Sequence, residues 1–580
     1  MRRVAALLCF ALSVTVAGKA QAAPHVTVQV EGVSGALLKN VRDYLSIVTY
    51  EDSPDLSQSL VERLSARAPD EIQRALQPFG YYDSKVDATL TPQDDSWVAR
   101  YVITLPPPVR IRHIDIVLSG DGDQDPGFNG FVAKLPYASG DHLDQKTYED
   151  SKRNLLLLAA QRGYIDARFT ETQLAVNPQE HWADITLRFT TGPRYYFGDV
   201  TFVQDFMDPK FLARYVKFKP GDPFDNDALL KLQYALNDSG YFNAVNVESQ
   251  RRPNAEHRIP IRVTLSKRPP NAYTFGLGYG TDTGPRATLG WIDRRVNDEG
   301  HSFSAQTQIS HVMETVLLNY TVPLSDPASD RLIYSLGNLR QTQLGSFTSY
   351  TTMLGVSRAV TLGQWNDSQY LQLEHDRSDL QDTATNSTLL MPGLALSRLV
   401  SDDLVLPTRG YRVSADMHGA SNAFFSDTTF LQLHLAAKLI QPLGDDTSLL
   451  LRGELGATAV KSFTELPATQ RFFAGGDQSV RGYEYNSLGV RDAEGENLGG
   501  KDLTVGSVEV DHFFGKIFGI DAFVDAGDAN NSFTSSLDKG VGAGLRWRTP
   551  VGMIRFDVAH PVKRPDLDRV RIHISLGPDL

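Results

Sequence analysis

From residue 271 onward, apolar and polar residues alternate with a period of two. In segment 273–280 the odd positions are aromatic or leucine, and the even positions are threonine or glycine. In segments 541–548 and 570–576, apolar residues alternate with glycine, serine, arginine or histidine. A strand with cations on one face and apolar side chains on the other is typical of a wall between lipid and a wet lumen. A soluble sandwich gives the same alternation, so the period alone is weak evidence.

The length of this region separates the two interpretations. Residues 271–580 show little helical periodicity, and strands that recur roughly every 18 to 20 residues give about 16 strands, which suits an outer-membrane barrel. No stretch beyond the N-terminus approaches the ~18 apolar residues of a spanning helix, and the mean hydropathy is −0.26. We therefore predict a transmembrane antiparallel β-barrel over 271–580.

The part of the chain before the barrel contains three repeats. Gly-Tyr pairs at 80–81, 163–164 and 240–241 each follow a helical stretch and precede an alternating strand. Glycine just past a helix end is a frequent terminator. Each repeat is predicted as strand, helix, helix, strand, strand, and ends at a proline-containing segment. The alternative is a string of unrelated small α+β domains. The predicted α+β repeats span 23–108, 109–192 and 193–268.

The N-terminus has the features of an export signal. Two early arginines precede an apolar stretch, 4–16, and an A-x-A cleavage sequence ends at residue 22. We predict a signal peptide over 1–22, with a membrane anchor or twin-arginine export as alternatives. The single cysteine, Cys9, lies inside it, so the mature chain would carry neither disulfides nor thiolate metal sites. The net charge of −12 gives no electrostatic reason to expect nucleic acid as a partner.

One arginine and two carboxylates stand out in the barrel region. The arginine lies in the glycine-rich segment 475–483, whereas Glu509 and Asp525 lie within otherwise apolar strands. A guanidinium inside a narrow lumen needs an acidic partner, and a bidentate pair is strong and specific in geometry. We predict that the loop folds into the lumen, where its arginine pairs with Asp525, Glu509 or both; the alternative is a solvated surface loop. The loop motif is Val480, Arg481, Gly482 and Tyr483.

These features together resemble the POTRA–β-barrel superfamily, which includes BamA, TamA and the two-partner secretion transporters. Segment 480–483 resembles the family's loop motif, 523–527 its barrel-wall aspartate motif, and 549–557 its C-terminal hairpin. Three repeats favour the TamA branch, because BamA-like proteins usually carry five and two-partner transporters two. The ending 575–580 also resembles TamA and lacks the terminal aromatic residue usual in outer-membrane barrels.

The resemblance implies a location and a function. The repeats would be periplasmic POTRA domains, and the barrel would lie in the lipid bilayer of the outer membrane. The function would be insertion or translocation of outer-membrane proteins such as autotransporters, with a TamB-like inner-membrane protein as partner. A two-partner-type secretion pore is the alternative, and a passive porin would not need three periplasmic domains. We expect no enzymatic activity, cofactor or metal.

The first and last barrel strands are the expected place of insertion. A barrel that opens between them would offer an unpaired edge to a client strand. Glycines weaken a strand, so we predict a weak seam between 273–280 and 569–577. The alternative is that lumen-side glycines only make space for a loop. The candidate seam residues are Tyr273, Gly276, Gly278, Gly280, Arg571, His573 and Gly577.

Overall fold

The computed structural model describes most of the chain. Described are residues 25–577 except 52, 54, 94–95, 251–255, 344–346, 381–382, 534–535, 551 and 563–569. The predicted signal peptide lies outside these described residues. The chain divides into two compact units, one made of 1–199, 219–227 and 251–260, and the other of the remaining residues. The domain limits given above stay predictions.

The first repeat packs helices against one face of a small mixed sheet. Its elements are β1 (His25–Glu31), α1 (Gly35–Tyr44), α2 (Ser46–Thr49), α3 (Gln58–Leu76), β2 (Lys85–Gln93) and β3 (Ser96–Thr104). The strand order is β1-β3-β2, with β1 parallel to β3 and β2 antiparallel to it. Val26, Ile72 and Tyr101 are fully buried between the layers. The helices therefore form because they cover the apolar face of the sheet.

The second repeat has the same strand order. Its elements are β4 (Arg110–Ser119), α4 (Pro126–Ala133), α5 (Gln145–Gln161), β5 (Arg168–Asn177) and β6 (Trp182–Thr190). The order is β4-β6-β5, with β4 parallel to β6. Helix α5 begins after Asp144, whose carboxylate accepts the N–H of Lys146 at 2.9 Å. That contact satisfies one of the free N–H groups of the first turn.

The third repeat completes the series. Its elements are β7 (Tyr196–Val203), α6 (Pro209–Ala213), α7 (Asn226–Asp238), β8 (Phe242–Ser249) and β9 (Arg258–Lys267), in the strand order β7-β9-β8. The glycine of each Gly-Tyr pair has a positive φ, +76° at Gly80, +85° at Gly163 and +78° at Gly240. The predicted element order is confirmed, and the first repeat has α2 in addition.

Residues 271–577 form a closed barrel of 16 strands, which confirms the predicted fold class. No helix in the described part of the chain is long and apolar enough to cross a membrane. Before the longest loop come β10 (Asn271–Gly280), β11 (Gly284–Asp293), β12 (Ser302–Ile309), β13 (Met313–Pro323), β14 (Asp330–Gln343), β15 (Phe347–Leu362), β16 (Trp365–Leu380), β17 (Thr383–Ser401), β18 (Gly410–Ala420), β19 (Phe430–Pro442) and β20 (Thr447–Val460). The loop, 461–501, contains β21 (Val490–Arg491) and β22 (Asn497–Gly499) and is followed by β23 (Asp502–Phe514), β24 (Phe518–Asn530), β25 (Asp538–Thr549), β26 (Gly552–Pro561) and β27 (Arg571–Gly577).

The two faces of the barrel wall differ in the way the alternation predicts. On β24, Asp521 and Asp525 are buried inside the barrel, whereas Val524 between them is 52% exposed on the outside. On β10, Phe275 and Leu277 are 82% and 87% exposed. Apolar side chains therefore cover the outer face, where a bilayer would lie, and the charged ones face the lumen.

Within the second unit, the third repeat contacts the barrel at the turns that lead into its strands. The hydroxyl of Tyr241 donates to the carbonyl of Gly300 at 2.6 Å, and burial raises the pKa of this hydroxyl to about 12. The guanidinium of Arg214 donates to the carbonyl of Leu324 at 2.9 Å. These bonds attach the last repeat to two turns of the barrel, the one between β11 and β12 and the one between β13 and β14.

Candidate functional site

The loop 461–501 folds into the barrel lumen. Ala474 and Val480 are completely buried and pack with Tyr483 against Leu503 and other residues on the inner faces of β23 and β24. Two adjacent glycines at 475 and 476, with φ of +105° and +104°, turn the loop back towards the wall. Left-handed φ values of this kind favour glycine, so the glycine-rich sequence directly permits the inward course.

Arg481 lies at the centre of this packing. Its Nε and Nη2 donate to the two carboxylate oxygens of Asp525 at 2.8 and 3.0 Å, a bidentate pair. Its Nη1 donates to Glu509 at 2.6 Å and to Asp557 at 2.9 Å. The guanidinium also lies 3.3 Å from the ring centroid of Phe523, a cation–π arrangement. The structure thus brings Arg481 together with both carboxylates that the sequence suggested.

A second arginine, Arg546 on β25, extends the network. Its Nη2 donates to Glu509 at 2.7 Å, and its Nη1 lies 3.0 Å from Asp521 and also contacts Asp557. Its Nε lies 3.5 Å from Asp511. Because Glu509 and Asp557 each contact both arginines, the charges form one continuous cluster. A buried charge persists only with such partners.

The sequence reasoning missed Arg546 and Asp557 as members of this cluster. The available signal was the alternation in 541–548, where Arg546 stands between two apolar residues. Alternation places a charge on the lumen face, but it does not say which lumen residue lies opposite. The strand register supplies that information. Asp521 and Asp557 lie opposite Gly544 on its two sides, and Arg546 is two residues further along the same face of β25.

Glycines on β25 make space for the loop and the cluster. A Cβ added at Gly540 would lie 1.9 Å from the carbonyl oxygen of Arg481, and one at Gly544 would lie 2.3 Å from a carboxylate oxygen of Asp557. From the opposite side, Arg452 on β20 donates to the carbonyl of Ser479 at 2.6 Å. The loop motif is therefore held between β20 and β25.

The barrel closes through a short contact between β10 and β27. Gly280 is paired opposite Ser575, and the N–H of Thr281 donates to the carbonyl of Ile574 at 3.1 Å. By contrast, β10 pairs with β11 along the whole length of both strands. The contact that closes the barrel is thus far shorter than its neighbour.

The seven candidate seam residues fall into four groups, and the last of them, Arg571 and His573, binds the loop. Only Gly280 lies in the ladder between the two seam strands. Gly577 is paired with Met553 on β26. In the described structure, three further candidates pair with β11 alone: Tyr273, Gly276 and Gly278.

Arg571 and His573 bind the loop instead of β10. Arg571 donates to Glu484 at 2.6 Å. The Nε2 of His573 accepts the N–H of Gly482 at 3.0 Å, and its Nδ1 is hydrogen-bonded to Asp477. The last strand therefore carries the loop motif on its lumen face.

The glycines of β10 are only partly explained by space for the loop. A Cβ added at Gly276 would find its nearest neighbour, Thr288, at 3.5 Å, and one at Gly278 would meet Arg286 at 3.2 Å. Both of these neighbours belong to β11. Only at Gly280 does a loop residue, Asp477, come within 3.8 Å. Lumen filling therefore does not account for Gly276 and Gly278.

Two groups of side chains have the spacing of metal ligands. Asp282, Asp477 and His573 offer ligand atoms within 4.8 Å of one another, but both ring nitrogens of His573 are already hydrogen-bonded. Burial and the nearby charge of Asp477 raise the pKa of Asp282, in the turn after β10, to about 7. The second group is Glu509, Asp511 and Asp521, and Arg546 contacts all three. In the second group the positive charge of Arg546 lies beside all three carboxylates.

Comparison with known proteins places these features in a family. The sequence model described as the Omp85 superfamily domain matches residues 271–579. The model of the first POTRA domain of TamA matches 27–105, and a POTRA model, described as a surface antigen variable number repeat, matches 195–268.

Individual relatives are distant in sequence. The outer membrane protein assembly factor BamA of Neisseria meningitidis is 21% identical over 90% of this chain and 73% of its own length. The BamA of Nitratidesulfovibrio vulgaris is 23% identical over 66% of this chain, which spans only 51% of that relative. The crystal structure of Haemophilus ducreyi BamA lacking POTRA domains 1–3 superposes with a TM-score of 0.67 at 18% identity, covering 81% of this chain and 99% of that one. Because the superfamily model covers more than half of the sequence and the described residues form the matching barrel, the chain belongs to the Omp85 superfamily.

Proposed function

We propose that this protein is an outer-membrane insertase that assists the assembly and secretion of β-barrel clients, autotransporters among them. The barrel lies in the outer membrane, and the POTRA domains lie in the periplasm. Clients enter through lateral opening of the seam between β10 and β27. The names of the curated relatives, which describe outer-membrane assembly factors, support this class of function.

The edge of β10 is the observation that carries the proposal. The register with Gly280 opposite Ser575 aligns Gly577, the last residue of β27, with Gly278. The part of β10 before residue 278 therefore has no strand on that side within the described residues. Its outward side chains, including Phe275 and Leu277, are strongly exposed. Backbone groups at an unpaired edge in lipid lack hydrogen-bond partners, so a client strand that pairs there would be stabilised.

The loop in the lumen favours this route over the alternative, a two-partner-type pore. A client that crosses the lumen would have to displace Arg481 from Asp525 and Glu509, with which it forms a buried network. Breaking a buried ion pair costs about 3–5 kcal/mol. Lateral opening requires the loss of the β10–β27 contact, which is short in the described residues, and of the hydrogen bonds of Asp477 beside it, whereas the buried pairs of Arg481 can stay intact.

We further propose that the protein acts with a TamB-like protein anchored in the inner membrane. Three repeats, and the match of 27–105 to the first POTRA domain of TamA, support a TamA-like role. Each repeat has two edge strands in its sheet, for example β1 and β2 in the first. Such edges offer main-chain hydrogen bonds to an extended partner.

A reversible lock on the seam tests the proposal. The chain has no cysteine beyond Cys9, so Gly280→Cys with Ser575→Cys places one disulfide at the observed register pair. The matched control is Gly453→Cys with Gly506→Cys, a pair that faces across β20 and β23. Surface display of an autotransporter is then measured with and without reductant.

The two disulfides separate the possible routes. We expect the seam lock to abolish display, reductant to restore it, and the control disulfide to have no effect. If the seam disulfide forms completely and display is unchanged, lateral opening is wrong. Translocation through the lumen then becomes the better explanation.

A further inference from the structure

The loop touches both strands of the seam through a single side chain. Asp477 accepts a hydrogen bond from the hydroxyl of Thr281, at the end of β10, at 3.1 Å. The same carboxylate is hydrogen-bonded to His573 on β27. The backbone N–H of Asp477 donates to Asp282, in the turn after β10. We call Thr281, Asp282, Asp477 and His573 the seam cluster.

The hydrogen bonds indicate the tautomer of His573. A backbone N–H can only donate, so the Nε2 that receives the N–H of Gly482 at 3.0 Å carries no proton. In the neutral ring the proton is then on Nδ1, which donates it to Asp477. His573 thus joins two points of the loop, and one of them, Gly482, directly follows Arg481. The seam cluster is therefore continuous with the buried charge network.

Thr281 transmits the position of the loop to the strand contact. Its backbone N–H donates to the carbonyl of Ile574 at 3.1 Å, and its Oγ1 accepts the N–H of Ile574 at 3.1 Å. The hydroxyl proton is directed at Asp477. With its proton on Asp477, the hydroxyl presents a lone pair to the N–H of Ile574, so Asp477 supports this orientation.

In the described residues, the seam cluster contributes more hydrogen bonds at this contact than the strand ladder does. Beyond the pairing of Gly280 with Ser575, the described backbone bond between the strands is the one from Thr281. The side chains of His573 and Asp477 are 5% and 10% exposed, so water competes little for their bonds. Hydrogen bonds to a charged group in such surroundings are stronger than neutral ones.

We propose that Asp477 is a positioning residue that holds the seam closed, so that the loop and the strand ladder open together. When the loop carries Asp477 into the lumen, Thr281 and His573 are held on either side of the same carboxylate. When Asp477 withdraws, the β10 end loses the link to His573 on β27 that this carboxylate provides. The relevance of this closure to client insertion rests on the function proposed above.

The test uses two matched substitutions of one side chain. Thr281→Val removes the hydroxyl at nearly constant volume, and Thr281→Ser retains it. Asp477→Ala removes the acceptor from the other side. Each is made in the full chain carrying spin labels at Tyr279→Cys and Leu576→Cys, reconstituted in lipid nanodiscs without client. The separation across the seam is measured from the dipolar broadening of continuous-wave electron paramagnetic resonance spectra, which detects labels as close as strand neighbours, with labels at Gly453→Cys and Gly506→Cys as a reference.

We expect the parent chain and Thr281→Ser to show one short distance. Thr281→Val and Asp477→Ala should raise the ratio of open to closed seam by at least about tenfold, the size expected for one hydrogen bond to a charged group. The reference distance across β20 and β23 should not change. If Thr281→Val leaves the seam distribution as in the parent chain, the proposal is wrong. That outcome overturns the proposal even if Asp477→Ala does not fold. Opening in Thr281→Val with a closed seam in Asp477→Ala also overturns it, because the valine additionally removes the Oγ1 that accepts the N–H of Ile574.

The outcome is distinguishable from failure of the proposed function. If Thr281→Val and Asp477→Ala both open the seam but autotransporter display is unchanged even in the disulfide-locked chain, the positioning role stands and lateral insertion fails. If the disulfide lock abolishes display while Thr281→Val leaves the seam closed, lateral insertion stands and the role of Asp477 fails.

Discussion

Replacing Gly540 with alanine should displace the loop from the barrel wall. The added Cβ would lie 1.9 Å from the carbonyl oxygen of Arg481, whereas an ordinary contact begins at 3.4 Å, so a movement of about 1.5 Å is required. The atom that must move is a backbone oxygen, which cannot rotate away as a side chain can. The strand β25, held by neighbours on both sides, cannot easily yield instead.

The expected size of the effect follows from this overlap. One surplus methyl group in a well-packed site typically costs about 1–3 kcal/mol. The N–H of Arg481 lies 3.0 Å from the carboxylate of Asp525, and a shift of this size would break that bond. The ratio of bound to displaced loop should therefore fall by about 5- to 150-fold, which is the factor that 1–3 kcal/mol represents.

Maleimide labelling of a reporter cysteine measures the displacement. Val480→Cys places the thiol in the loop at a completely buried position, and the chain has no cysteine beyond Cys9. We expect the labelling rate in Gly540→Ala to exceed that of the parent at least about fivefold. Gly506→Ala on β23 is the control, because its Cβ would meet nothing within 4 Å.

Equal labelling rates in the two alanine variants would refute the reasoning. Such a result would mean that the loop is not held against β25 at Gly540, or that the wall adapts at no cost. Retention of heat-modifiable mobility in electrophoresis shows that both variants still form the barrel.

Two further predictions concern charges. Arg481→Met should leave Asp525 buried without its main cation and lower the free energy of unfolding by about 3–5 kcal/mol. Arg481→Lys should fall between Met and wild type, because lysine lacks the two-nitrogen fork; the urea midpoint for loss of heat-modifiable mobility measures both, and an unchanged midpoint for Met contradicts the pairing. In the second repeat, burial acts to raise the pKa of Asp125, but hydrogen bonds from Arg162 and the N–H of Gly127 outweigh it and hold this pKa below its usual value. A lowered carboxyl pKa contributes stability above the unfolded value of about 3.9 that is lost as the pH falls through the folded pKa. Urea unfolding of the full chain, followed by tryptophan fluorescence at neutral and acidic pH, should show this loss in wild type and less of it in Asp125→Asn.

Much of the buried charge cluster could be anticipated from residue types. Glu509 and Asp525 each stand in an alternating strand, and a single arginine in a glycine-rich loop needs such partners. The participation of Arg546 and Asp557 could not be anticipated in the same way. The two are neighbours across the hairpin of β25 and β26, but their contacts with Glu509 on β23 and with Arg481 depend on the alignment of further strands and on the course of the loop.

Local sequence determines which segments form the two seam strands, whereas closure of the barrel determines how these strands pair. The alternating pattern and its turns sufficed to predict about 16 strands, three preceding repeats and the identity of the first and last strands, because period and turn chemistry are local properties. The pairing of Gly280 with Ser575, which within the described residues leaves the early part of β10 without a partner on that side, follows from the stagger accumulated around the ring. The binding of His573 to the loop has the same origin. Only the closed tertiary structure decides these contacts, because no single strand carries the sum of the staggers between all its neighbours.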